Sequence, residues 1–323
     1  MHHKYVVKCM GNQDGEKRMD KCPNCKTEKS NPAKTVVVNG TKYLKIARKD
    51  LEAAKCLFDR KLYPQSIFYL QQAIEKAVKS FGIWNKTITE AEAKKTIGHR
   101  AWKVYFKIFD EFKNKVLRLE EVLKKFPELR EAGLVKEFEI NRLKELEKYQ
   151  STFSNEDDAF NISFSMEKLQ EILLEINKLK NELEGISFEK FEIDEKKVED
   201  LKKEFYQLLE AISKINPTIN LEDVKKRCDK LLTPQLISEI FRALSKPISE
   251  IIYCYLSLFY LSLIFSPHAV RSRYPQGNFD PLEVYDEKLP LIRMYNYFAK
   301  IVEEVLEKLD HVYFEIPRKI SLR

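Results

Sequence analysis

Residues 41–84, TKYLKIARKDLEAAKCLFDRKLYPQSIFYLQQAIEKAVKSFGIW, decide the fold. Apolar residues fall at Leu44, Ala47, Leu51, Ala54 and Phe58, then at Ile67, Leu70, Ile74, Ala77 and Phe81. Steps of three and four place each set on one face of a helix. The break lies at Tyr63-Pro64, where proline suits the first turn of a new helix because its missing N–H costs nothing there. Gly82 is expected to end the second helix as a left-handed cap, with Lys76 and Lys79 near the negative end of the dipole. The pattern predicts helices over 41–62 and 64–82 that lie antiparallel and need further helices to cover them.

Composition agrees with an all-α chain. The 323 residues are 33% charged, with only 8 glycines and 12 prolines. A net charge of +7 is spread among interspersed acidic residues, which reads as solvated helix faces before it reads as a nucleic-acid patch. Six cysteines in a chain of this length are no disulfide framework, and the first residues lack the apolar core of a secretory signal. A reducing cytoplasm is the expected compartment. The run Ile251–Phe265 is apolar for about 15 residues, short of the roughly 20 that cross a bilayer. It carries serines and tyrosines, and is expected as a central helix buried on all sides rather than a membrane span.

Residues 1–40 differ in character. Met10–Lys34 has no helical period, and Tyr5-Val-Val and Val36-Val-Val are strand-like. Between them, Cys22-Pro-Asn-Cys25 has the spacing with which two thiolates reach one tetrahedral ion. Cys9 and His3 are candidate further ligands for a structural zinc; the competing reading is a tail with two incidental thiols. From about 109 to 232, heptad-like stripes recur: Phe109, Phe112, Val116, Leu119, Leu123, Phe126; Leu169, Ile172, Ile176, Leu179, Leu183; and Val198, Leu201, Phe205, Leu208, Ile212, Ile215. Such seams suit antiparallel coiled-coil hairpins or a small bundle, read as an extension that projects from the main bundle. Thr233-Pro234 then reads as cap and first turn of a helix toward Phe265, with Pro247 expected to kink or split it. A last amphipathic helix covers Pro290–Leu309.

The opening hairpin resembles that of HEPN domains. The residues that carry the likeness are Ala47, Asp50, Leu51 and Ala54, the turn tyrosine Tyr63, and Gln71, Gln72, Ala73, Glu75, Lys76, Ala77 and Lys79. Thr96-Ile-Gly-His99-Arg100 is similar to a short element of the family's abortive-infection members. Arg273-Tyr-Pro275, a loop and an amphipathic helix resemble the family's C-terminal part. The resemblance implies an up-and-down helical bundle over 41–110 and 233–323. It leaves 1–40 as an N-terminal segment and 111–232 as an inserted, coiled-coil-like extension. It further implies a toxin or defence protein that works as a homodimer, binds and cuts RNA without a metal ion, and pairs with a small nucleotidyltransferase antitoxin.

The family's arginine, spaced four to six residues before a histidine, is incomplete here, because no histidine follows an arginine at that spacing. Arg273 is followed by Asn278, which can hydrogen-bond a phosphate but cannot shuttle a proton at neutral pH. The candidate catalytic set is therefore His99, His268, Arg273 and Asn278, with Arg271 and Arg100 as binding residues. Arginine can grip a phosphate bidentately and histidine can move a proton. Structural roles compete in each case: His99 as a helix-start residue, Arg271 and Arg273 as loop anchors. Non-enzymatic readings also stand, a module that binds a nucleotide or protein partner, or a helical scaffold. The zinc expectation is checked by elemental analysis of protein prepared without chelator. About one zinc per chain is expected, and protein free of zinc contradicts it.

Overall fold

The computed structural model describes residues 32–125, 164–185 and 192–321. They form eight principal helices among the described residues: α1 (Pro32–Asp59), α2 (Tyr63–Trp84), α3 (Lys103–Lys125), α4 (Met166–Gly185), α5 (Glu195–Ile215), α6 (Leu221–Leu231), α7 (Pro234–Phe265) and α8 (Tyr295–Ser321). Short helical turns occupy the connections, and the described residues contain no β-strand. The expected all-α architecture is observed.

α1 stops by a Schellman arrangement. Leu62 N–H donates to Leu57 O at 3.0 Å and Lys61 N–H to Phe58 O at 2.8 Å, with Lys61 left-handed at φ 60°. A lysine bears this conformation where glycine is usual, and its Nζ is held by Glu287 at 2.8 Å. Pro64 then sits in the first turn of α2 as the sequence implies. The buried Ser66 hydroxyl donates to Ala54 O at 2.9 Å and pins the two helices together.

α2 is the hub. Leu70, Ala73, Ile74, Ala77 and Val78 are each at most 1% exposed, and α1, α3, α7 and α8 all pack against it. Leu44 of α1, Leu258 of α7 and Val305 of α8 belong to the same core as Ile67. α8 is tied to α1 by the Arg48–Asp310 ion pair and by Phe58 stacked on Tyr295 at 3.9 Å between centroids. At its other end Trp84 stacks on Tyr313, whose hydroxyl lies 3.1 Å from Ser80 Oγ.

Several sequence expectations change. Val36–Val38 is helical, because α1 begins at Pro32; a β-branched run costs a helix only tenths of a kcal/mol per residue. Gly82 is not a left-handed cap. α2 runs on to Trp84, and Lys86 takes the positive φ of 65°. Gly82 serves close approach instead: a Cβ there would lie 2.8 Å from Val104 Cγ1 and 3.0 Å from Ile88 Cγ1. α4 does not project from the bundle, since Leu169, Ile172 and Ile176 enter the main core. Lys180 of α4 also pairs with Glu304 at 2.9 Å. Pro247 does not split α7, which is continuous from Pro234 and capped by Thr233 as expected.

α5 and α6 form a hairpin held by Tyr206 with Asp229 and by Lys225 with Glu210. Its seam is incomplete: Val198 and Ala211 are buried, whereas Leu201 and Phe205 are 47% and 38% exposed. α7 is long and apolar enough to cross a membrane, and half of its most apolar stretch is buried inside the bundle. The run Ile251–Phe265 is mostly enclosed but not covered on every side, since Ile252 is exposed; before it Ile240, Phe241, Leu244 and Ile248 are also exposed.

The close approach at Gly82 yields a test. Gly82→Ala is expected to destabilise by about 1–2 kcal/mol, overpacking outweighing the gain in helix propensity. Combining it with Val104→Ala should give less than the sum of the two single losses in denaturant unfolding. Simple additivity would show that the contact does not constrain the packing.

Candidate functional site

α2 carries an unusual row of buried polar residues. Gln71, Glu75 and Lys79 stand one turn apart and are 2%, 4% and 7% exposed. Glu75 Oε1 accepts from Lys79 Nζ at 2.7 Å. Its Oε2 accepts from Gln71 Nε2 at 3.1 Å and Gln72 Nε2 at 3.3 Å, and lies 3.0 Å from His99 Nδ1. Burial alone would raise the Glu75 carboxyl, but the Lys79 charge and the hydrogen bonds from Lys79, His99 and Gln71 bring it below its ordinary value. The carboxylate is therefore ionised at neutral pH. Beside it Lys76 pairs with Asp50 of α1 at 2.7 Å.

The loop after α2 delivers His99. Thr89 and Glu92 form a capping box, and Lys107 of α3 reaches Glu92 at 2.7 Å. Those bonds, the Lys107 one first, hold the Glu92 carboxyl down at about 2. A π-helical turn, Ala93–Ile97, leads to Gly98 at φ 52°, ψ −130°, a conformation that glycine supplies without strain. The His99 side chain comes out 49% exposed, against a Glu75 side chain only 5% exposed. An ionised carboxylate can only accept, so His99 Nδ1 carries the hydrogen, and in the neutral ring the lone pair is on Nε2, away from Glu75.

The arginines lie at the start of the same helix. Arg273 Nε donates to Ala269 O at 2.8 Å, and its guanidinium rests 4.7 Å from the Phe68 ring centroid of α2 and 4.9 Å from that of Tyr274. Arg271 covers Phe279 at 5.1 Å. Gln276 and Phe279 pair across a tight turn in which Gly277 takes φ 57°, and Asn278 is exposed at its tip. His268 faces a different way. Its Nδ1 lies 2.5 Å from Tyr285 Oη, and desolvation, reinforced by the Arg271 charge, pulls it down to about 3. With Arg271, Phe279 and Tyr285 it lines a pocket of about 70 Å³ that Leu169 of α4 also borders.

Phe68 and Glu75 are seven residues apart, so they share one face of α2 at a separation of about 10 Å along its axis. Arg273 over Phe68 and His99 on Glu75 therefore stand on one face of α2, with Gln71 and Gln72 between. His268 is turned inward against Tyr285, and Arg100 is half-buried beside His99. Glu75, Lys79 and Gln71 were not among the residues expected to do chemistry. The available signal was polar residues at four-residue spacing on an otherwise apolar face. Cys9, Cys22, Cys25 and His3 lie outside the described residues, among which no group of three or more His, Cys, Asp or Glu residues is placed to hold a metal ion.

Comparison with known proteins agrees with this architecture. The HEPN domain family model matches residues 41–215, and the chain belongs to the HEPN domain family. A protein of Methanocaldococcus jannaschii named "Putative toxin MJ1304" is 37% identical over 78 residues, 24% of this chain and 50% of that protein. The chain thus spans about half the length of the relative it matches. No solved structure matches the chain.

The inward histidine makes a prediction about pH. Because His268 binds its proton less readily folded than unfolded, its stability contribution is full above its ordinary value of 6.5 and is lost as pH falls toward 3. His268→Asn should flatten the decline of melting temperature between about pH 7 and pH 5. An unchanged slope would show that the imidazole is not desolvated.

Proposed function

We propose that this HEPN protein is a toxin or defence protein that binds RNA at the two loops that carry Arg273 and His99 beside α2 and cleaves it without a metal ion. The observation that carries the reading is the placement of Arg273 and His99 on one helix face. Arg273, backed by two aromatic rings, presents a planar cation to a phosphate. His99, half-exposed on an ionised carboxylate, is suited to move a proton at the 2′-oxygen. Asn278, Arg271 and Arg100 would add contacts to the strand. His268 is not given a proton-transfer role, because it is held inward and neutral.

The toxin name of the archaeal relative supports the same class. In this reading the protein pairs as a homodimer through the bundle, and a nucleotidyltransferase partner acts as antitoxin. A zinc on Cys9, Cys22, Cys25 and His3 would be structural.

Arg273→Ala is expected to weaken RNA binding roughly tenfold or more, as loss of a charge-assisted phosphate contact of about 1.5–3 kcal/mol requires. His99→Ala should slow cleavage by about 10²- to 10⁴-fold while binding changes little. Both are read by filter binding and by cleavage of total RNA, with melting temperature as the control. If Arg273→Ala lowers the melting temperature and leaves RNA binding unchanged, the arginine is a loop anchor and the reading fails. Binding without cleavage by the unaltered protein would favour the non-enzymatic module.

A further inference from the structure

We infer that Glu75 is a positioning residue for His99, which it holds in the tautomer a general base requires; this rests on the proposed ribonuclease reading. A carboxylate and an ammonium buried together are costly to desolvate, and apolar side chains of similar volume often stabilise as well or better. The Glu75–Lys79 pair also joins no two elements, since both residues lie on α2 one turn apart. Packing therefore gives no reason for it. Lys79, Gln71 and Gln72 all approach Glu75 from its own helix and fix the carboxylate. The partner that comes from elsewhere is the His99 imidazole. The network is thus arranged around a histidine that is itself half open to solvent.

The chemical consequence follows from the hydrogen-bond inventory. With Nδ1–H committed to Glu75, Nε2 is the basic nitrogen and faces outward. In the cleavage step Nε2 takes the proton of the ribose 2′-OH while the 2′-oxygen bonds to phosphorus. The P–O5′ bond breaks, leaving a 2′,3′-cyclic phosphate; the leaving oxygen takes a proton from water, and the hydroxide so formed takes the proton from His99 Nε2. The imidazolium formed lies 3.0 Å from the Glu75 carboxylate, which offsets its charge. Lys79 keeps Glu75 ionised, so that it accepts from His99 rather than donating to it.

The test reads the histidine directly. Long-range ¹H–¹⁵N spectra of the full chain should show His99 as the Nδ1–H tautomer when neutral. The Glu75→Leu/Lys79→Met double variant removes both buried charges at once, and should return His99 to the tautomer mixture of an unrestrained imidazole. It should lower kcat on RNA by roughly 10- to 100-fold, the usual scale for loss of an orienting partner, with KM little changed. Glu75→Asp should restore part of the rate. If the double variant loses its fold, Glu75→Met decides by the same readouts, because it keeps approximate size and removes the acceptor from His99 Nδ1. An unchanged His99 spectrum in these variants, or an equal loss in kcat and in RNA affinity, overturns the inference. A shifted spectrum in a protein that cleaves no RNA supports the positioning of His99 and removes the ribonuclease reading instead.

Discussion

A carboxylate held inside a helical bundle must be paired, hydrogen-bonded or neutralised. Glu75 is paired and hydrogen-bonded, and the rest of the molecule is disposed around that constraint. Its helix, α2, is the most enclosed element, so most of its faces must be apolar. The polar row Gln71–Glu75–Lys79 occupies one remaining stripe. The stripe is bordered by the Lys76–Asp50 pair and opens to solvent where His99 leaves the π-helical turn. The π-helical turn, the capping box at Thr89 and the Glu92–Lys107 bond are local devices that hold one imidazole in place.

The hairpin of α1 and α2 was legible in the sequence because both helices are amphipathic with a proline at the second start. The same rule failed at Gly82, where glycine answers a close approach by Val104 rather than a left-handed turn. A contact between residues 22 positions apart leaves no local trace. It failed again at α4, whose stripe of Leu169, Ile172 and Ile176 reads identically whether it faces a coiled-coil partner or a core. Periodicity names a face and not its neighbour. α7 shows the same limit: its apolar run Ile251–Phe265 is mostly enclosed, with Ile252 exposed, whereas Phe241 and Ile248 just before it are nearly half exposed.

For the candidate site, the sequence supplied the residues that stand out by type, the histidines and the loop arginines. It did not distinguish the two histidines. His268 and His99 both sit beside a helical turn, yet one is part-buried against Tyr285 and the other rests half-open on Glu75. Glu75 itself was hidden in plain view, as one glutamate among the 50 acidic residues of the chain. Only burial separates it from the solvated ones. The family's usual arginine-to-histidine spacing is absent from the chain; the proposed pair, Arg273 and His99, are far apart in sequence and stand on one face of α2, about 10 Å apart along its axis.

Hydrogen–deuterium exchange with and without a single-stranded RNA probes that pairing most directly. The account predicts slowed exchange at 97–103 and at 268–280 on adding RNA, with no change over the α5–α6 hairpin at 195–231. Protection confined to 195–231, with the two α2-facing loops unaffected, would contradict it.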